Sequence, residues 1–146
     1  MLTAGHFVRY QSPTPNSRGV HTGIFGLVNG LSRQGLLTAS EERWRRVNND
    51  WYDVAYVDPS TIDPGVYDAE RNPGAAAWFK PEATHLLNRI EGYLDLLQVH
   101  GVPCVKVLSD NPGRVIYQDR DQIVVVPHGP DDRSGGGRDQ PGSSRH

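Results

Sequence analysis

The sequence predicts an α+β domain: a mostly antiparallel sheet of about five strands, with a helical hairpin and one long crossover helix. Three observations carry this. Ala75 to Val126 reads as strand, helix, strand, strand, strand. Its helical part places Ala83, Leu86, Leu87, Ile90, Leu94 and Leu97 at the i, i+3, i+4, i+7 spacing of one helix face. The runs Arg114–Gln118 and Gln122–Pro127 flank Asp119-Arg120-Asp121, the turn of a final hairpin.

Taken in order, Phe7-Val8-Arg9-Tyr10 is a short β-type run, and Gln11 to Arg18, with Pro13, Pro15, Asn16 and Ser17, is a loop. Thr22 is placed to cap a helix near 23–34 whose apolar positions are Ile24, Leu27, Val28 and Leu31, widened by Phe25. Gly26 and Gly30 would let another element approach, and Gly35 stops the helix. Thr38-Ala39-Ser40-Glu41 has capping-box spacing. The helix after it, near 39–52, puts Trp44, Val47 and Trp51 on one face and Arg43, Arg45 and Arg46 mainly elsewhere. The two helices form a hairpin.

Residues 53–74 are a long Pro/Asp-rich connection, with Ala55-Tyr56-Val57 as a possible strand and the rest irregular. Connections of this length inside a domain are uncommon and are often functional or poorly ordered. A strand at 75–79 follows. Pro81 suits the first position of a helix over 82–100, which Gly101 and Pro103 end. A strand near 104–109 comes next, and if it neighbours 75–79 in parallel the crossover is right-handed. Asn111-Pro112-Gly113 is a turn. Residues 1–127 make a single domain. From 128 to 146 glycine, serine and charge replace apolar residues, which predicts a disordered tail.

The formal charge of −2 disfavours nucleic acid as a partner. Cys104 is the single cysteine, so no intramolecular disulfide forms, and the thiol reads as a small core residue in a reducing cytoplasm. The N-terminus has no secretory pattern, and no run reaches the length of a membrane span.

His6, His21, His85 and His100 lack metal-ligand spacing, so no metal is expected. No nucleophile elbow, phosphate loop or dinucleotide fingerprint is present, and no cofactor is expected. Gly23-Ile24-Phe25-Gly26 at a helix start, with Arg18 and His21 before it, suits either an anion or helix packing. The arginines at 43, 45 and 46 sit behind Glu41 and Glu42 and read as a solvated face. The strongest candidate site is the strand-to-helix junction Trp78-Phe79-Lys80, where helix amides and dipole favour a ligand. Trp78 and Lys80 share a strand face. Arg9 and Tyr10 on the first strand, and Tyr117 on the final hairpin with Val115 and Asp119 on its face, complete a ligand-binding set of Arg9, Tyr10, Trp78, Lys80 and Tyr117.

The stretches Phe7-Val8-Arg9-Tyr10, Thr22 to Gly26, Trp78-Phe79-Lys80, Gly101-Val102-Pro103, Asn111 to Asp119 and Gln122-Ile123-Val124 resemble a family of small, uncharacterised bacterial proteins. The resemblance spans most of the domain, leaves out the 53–74 connection and the tail, and implies a single domain without implying an activity.

Two functions remain. One is a binding or regulatory module without catalysis of its own, whose partner is a protein or a small anionic ligand. The other is a small enzyme acting on an anionic or phosphorylated metabolite, with Arg9 and Lys80 holding the anion, His21 as acid or base, and Tyr117 stacking or hydrogen bonding. The enzyme requires Arg9, His21 and Lys80 to meet in one concavity. An exposed edge strand would permit a homodimer.

Overall fold

The computed structural model describes residues 6–128. All but the first residue of the tail expected to be disordered lies outside them. The chain runs β1 (Phe7–Gln11), α1 (Ile24–Arg33), α2 (Ala39–Ala55), a 3-10 turn (Pro59–Thr61), β2 (Ala76–Phe79), α3 (Thr84–Leu87), α4 (Ile90–Val99), β3 (Val105–Ser109), β4 (Arg114–Gln118) and β5 (Gln122–Val126). This is the expected α+β fold. The five strands lie in the order β3-β1-β2-β5-β4 and every paired neighbour is antiparallel. No helix among the described residues is long and apolar enough to cross a membrane.

β1 lies between β2 and β3, so the crossover joins two strands that are not neighbours. The opposed pairs Val8↔Phe79, Phe79↔Gln122 and Ala77↔Val124 define one face, which meets the helices through Val8 and Phe79. Trp78, Ile123 and Val125 form a separate cluster on the other face, joined by Phe7 and Val107.

The sheet must be strongly coiled. β3 and β4 run in the same sense on opposite edges, joined only by Asp110 to Gly113. Flat, the edges would lie four strand spacings or roughly 19 Å apart. Moreover, Ser109 stops beside Phe7 while Arg114 starts beside Val126, at the far end of the sheet roughly 17 Å away. The five Cα steps from Ser109 to Arg114 reach at most about 19 Å, short of that diagonal. Curling the sheet brings the edges together, and it explains how Trp78 becomes only 5 % exposed on the face away from the main helical core.

The helical face holds the larger core. Phe25, Trp44, Tyr52 and Tyr93 interlock edge-to-face, with centroids 4.9–5.7 Å apart, the geometry that ring quadrupoles favour. α4 approaches α2 closely at Gly92, where an added Cβ would collide with the Trp44 ring. Gly92→Ala is expected to destabilise the fold by roughly 1–3 kcal/mol through overpacking, despite alanine's better helix propensity. Urea melts of G92A and of G92A with Trp44→Phe check this, since the smaller ring should recover part of the loss. Gly26 and Gly30, expected to allow such an approach, do not: a Cβ at Gly26 would meet only a Thr22 methyl, and one at Gly30 only the Arg33 guanidinium.

The helix ends divide similarly. Thr38 and Glu41 form the full capping box, with Glu41 N–H donating to Thr38 Oγ1 at 3.1 Å and Thr38 N–H to Glu41 Oε1 at 2.8 Å. Thr38→Ala should therefore lower stability by about 1 kcal/mol in a thermal melt. Gly35 and Gly101 take positive φ just past α1 and α4, as the left-handed stop requires. Thr22, however, does not cap α1; Gly23 holds that position with no side-chain cap.

Three expectations need correction. The single helix over 82–100 is two, α3 and α4, because the Leu86 carbonyl is claimed by the Tyr52 hydroxyl at 2.6 Å and by Arg89 N–H at 3.3 Å, which tightens the turn there. Pro81 accordingly sits in the turn closed by Ala83 N–H to Lys80 O, not inside a helix. In α2 Val47 is 65 % exposed, and the inward face runs through Trp44 and Tyr52, where the aromatic cluster holds it. Residues 55–57 form no strand: α2 continues to Ala55.

The segment after α2 is ordered by the aspartates that marked it as irregular. Asp58 caps the 3-10 turn, Asp63 pairs with Arg71 at 2.9 Å, and Asp68 accepts from the amides of Glu70 and Arg71. Asn72 donates to Val66 O at 3.0 Å, and Val66 is fully buried. Short side chains bonding to nearby amides build turns without a ladder, and Val66 pins them down.

Candidate functional site

A cavity of about 530 Å³ opens between the N-terminal end of α1, the C-terminal turn of α2, strands β1 and β2, and the segment that follows α2. Arg9 sits in it. β1 and β2 share a single register pair, Val8↔Phe79, and beyond it the Arg9 guanidinium takes over the bridging. Nη1 donates to Ala77 O at 2.9 Å, Nη2 to His21 O at 3.0 Å and Nε to Gln11 Oε1 at 2.8 Å. All three acceptors are neutral, and among the described residues no carboxylate lies within ion-pair distance. A guanidinium has five N–H donors, so two remain beyond these three bonds. Burial pulls the Arg9 pKa down to about 10, still far enough above neutral to keep it charged.

Gly23 leaves room for this placement. A Cβ there would come within 3.3 Å of Arg9 Nη2, so its absence lets the cation lie against the start of α1. That helix end already carries partial positive charge, and its first turn holds no acidic residue. Two positive features therefore converge without a countercharge beside them.

The walls are aromatic. Tyr56 and Phe79 stack at 5.1 Å and 24°, and Tyr10 and Tyr67 also line the space. Burial pushes the Tyr67 hydroxyl up to about 12 and that of Tyr56 higher still, so both stay protonated and able to donate. Both lie near enough to Arg9 for their charges to couple with its own. Asp53 and Asp58 stand at exposed positions on the rim.

Gln122 lines the cavity from β5 and is 0 % exposed. Its Nε2 donates to Val57 O at 2.8 Å and to Asp119 Oδ2 at 2.9 Å. The Tyr117 hydroxyl donates to the same Asp119 oxygen at 2.6 Å. Both amide hydrogens are thus spent on acceptors, which fixes the orientation of the amide, and Oε1 is left buried without a partner.

The expected ligand-binding set is divided by this arrangement. Arg9 and Tyr10 are in the cavity. Trp78 is not, because strand alternation turns it to the inner face with Ile123 and Val125. Lys80 follows the last residue of β2, its N–H donating to Asp121 O at 2.8 Å, and does not line the cavity. Tyr117 stands one layer behind, reaching the cavity only through Asp119 and Gln122. It does not share a face with Val115: the register shifts between them, with Val115 opposite Val125 and Tyr117 opposite Val124. A bulge at Ile116 inserts one extra residue and reverses the alternation. His21 offers its backbone carbonyl to Arg9, while its ring Nδ1 lies 3.0 Å from Ser12 O; it does not line the cavity either. Arg9, His21 and Lys80 therefore do not share a concavity.

Sequence reasoning missed Tyr56, Tyr67 and Gln122. Two lie in the Pro/Asp-rich segment, whose path follows from Val66 and the Asx turns, and the third is indistinguishable by pattern from any polar residue starting a strand. Gly23 was visible as part of the glycine turn suited to an anion. No protein-family model matches the chain, and no curated protein or solved structure matches it.

Proposed function

We propose that this domain is a binding module for a small anionic ligand held in the Arg9 cavity, without catalysis of its own. The observation that carries this is the Arg9 guanidinium itself: half-buried, charged, bonded only to neutral acceptors, and laid against the start of α1. Drawing a charge partly out of water without a counterion is costly, and an incoming acid group offsets that cost while taking up the remaining donors in fork geometry. The volume suits a small molecule. Binding is favoured over acid–base chemistry because the phenols at Tyr56 and Tyr67 are driven away from neutral, whereas a general base works best near the operating pH. Cys104, whose thiol burial pushes up to about 11, stays an unreactive thiol suited to the cytoplasm.

Thermal shift against inorganic phosphate, nucleoside monophosphates and aromatic carboxylates tests the proposal, since a ligand selective for the native state raises its melting temperature. At least one class should stabilise the protein in a concentration-dependent way. If all three leave the melting temperature unchanged at millimolar concentration, the proposal fails.

A further inference from the structure

The cavity has two electrical ends. At one, the Arg9 guanidinium lies against the start of α1, whose first turn holds no acidic residue. At the other stands the end of α2. Asn49, Tyr52, Asp53 and Tyr56 follow the i, i+3, i+4, i+7 spacing of one helix face, and all four line the cavity. Asp53 therefore belongs to the cavity-facing stripe, in the last turn of α2, which holds no basic residue. Asp58 lines the cavity just past that turn. A helix C-terminus carries partial negative charge and favours a cation, not a carboxylate. Yet two aspartates stand there, and among the described residues neither pairs with a cation. The charged residues of the lining are Arg9, Asp53 and Asp58. The Tyr67 hydroxyl feels both the Asp58 and the Arg9 charge, so the two ends are close enough for one small molecule to meet both.

We propose that the ligand is a small zwitterion of the amino-acid type: an acid group on Arg9, a protonated amine toward Asp53 and Asp58, and an apolar or ring body against Tyr56 and Phe79. This rests on the binding function proposed above and deepens it. One such molecule supplies a countercharge to each end at once. An acid without the amine leaves the aspartates unmatched and meets their repulsion. An α-amino acid holds its two charges close together, and an aminomethyl aryl acid holds them a ring apart; both carry the shared chemistry.

Calorimetry on the full chain separates these with two matched pairs of probes: phenylalanine against 3-phenylpropanoate, and 4-(aminomethyl)benzoate against 4-methylbenzoate. In each pair only the first carries a cation. The wild-type protein should bind the cation-bearing member of at least one pair about fivefold more tightly or better, the scale of one or two partly screened ion pairs. Raising the salt to roughly 0.5 M should shrink that ratio, because exposed charges are screened. The double variant Asp53→Asn with Asp58→Asn should bring the two members to equal affinity. Asp58→Asn keeps the Oδ1 acceptor that caps the 3-10 turn, so the fold should survive. Equal affinity within both pairs overturns the zwitterion but leaves the Arg9 reading standing, as does a preference that persists in the double variant or is unchanged by salt. Failure of all four probes to bind also overturns the zwitterion, and the phosphates in the thermal-shift series then decide the Arg9 reading. The salt dependence of the wild type settles the outcome if the double variant does not fold.

Discussion

Replacing Arg9 with methionine is expected to weaken anion binding by about a hundredfold, the scale seen when one partner of a buried, hydrogen-bonded charge pair is removed. The same change leaves Ala77 O, His21 O and Gln11 Oε1 without their donor, so stability should also fall, by roughly 2–4 kcal/mol. The two effects are separable. Arg9→Lys keeps the charge but has no planar fork, so it cannot span acceptors on β1, on β2 and before α1 together. It should recover part of the anion affinity and little of the stability. Calorimetry reads the first quantity and urea unfolding the second. Should R9M bind an identified anion as tightly as the wild type, the cavity is not organised around this cation.

The largest loss of stability should come from Tyr93→Ala. Tyr93 is fully buried in α4 and touches Phe25, Trp44 and Tyr52 edge-to-face, while its hydroxyl donates to Asn49 Oδ1 at 2.7 Å. Removing the ring leaves a cavity where α1, α2 and α4 meet, with an expected cost of roughly 3–5 kcal/mol. Tyr93→Phe removes only the hydrogen bond and should cost about 1 kcal/mol. Both are read from chemical denaturation. A Y93A loss no larger than that of Y93F would mean that the three helices do not depend on this ring.

What was legible in the sequence was local. The capping box at Thr38, the glycine stops at 35 and 101, and the five strands all rest on residues within a few positions of each other, and they stand close to where they were expected. What was not legible depends on a partner far along the chain. The break between α3 and α4 needs the Tyr52 hydroxyl, which arrives from another helix. The reversal of Tyr117 needs the pairing of β4 with β5 to slip at Ile116. The expected set and the cavity share Arg9 and Tyr10 and differ in their other members for the same reason. Arg9 stood out by type, and Tyr10 came with it, but Trp78 and Lys80 were joined to them by closeness to a helix start. Strand alternation sends Trp78 to the other side of the sheet, and distant residues such as Tyr56, Tyr67 and Gln122 line the cavity instead.

The place of β1 in the sheet also governs when the site comes into being. β1 precedes both of its partners, β2 and β3, along the chain, and its full ladder, Phe7↔Ser109 to Gln11↔Val105, is with β3. During synthesis Arg9 leaves the ribosome with no strand to lie against until most of the domain has followed. Pairings so distant in sequence slow folding, because the loop must close before any contact rewards it. The helical hairpin can organise early from neighbouring residues, but the cavity cannot. A nascent chain halted before residue 105 would present the cation and the start of α1 without the strand that holds β1 in register. Closure of the Arg9 cavity is therefore a late event in the folding of this domain, set by the arrival of β3.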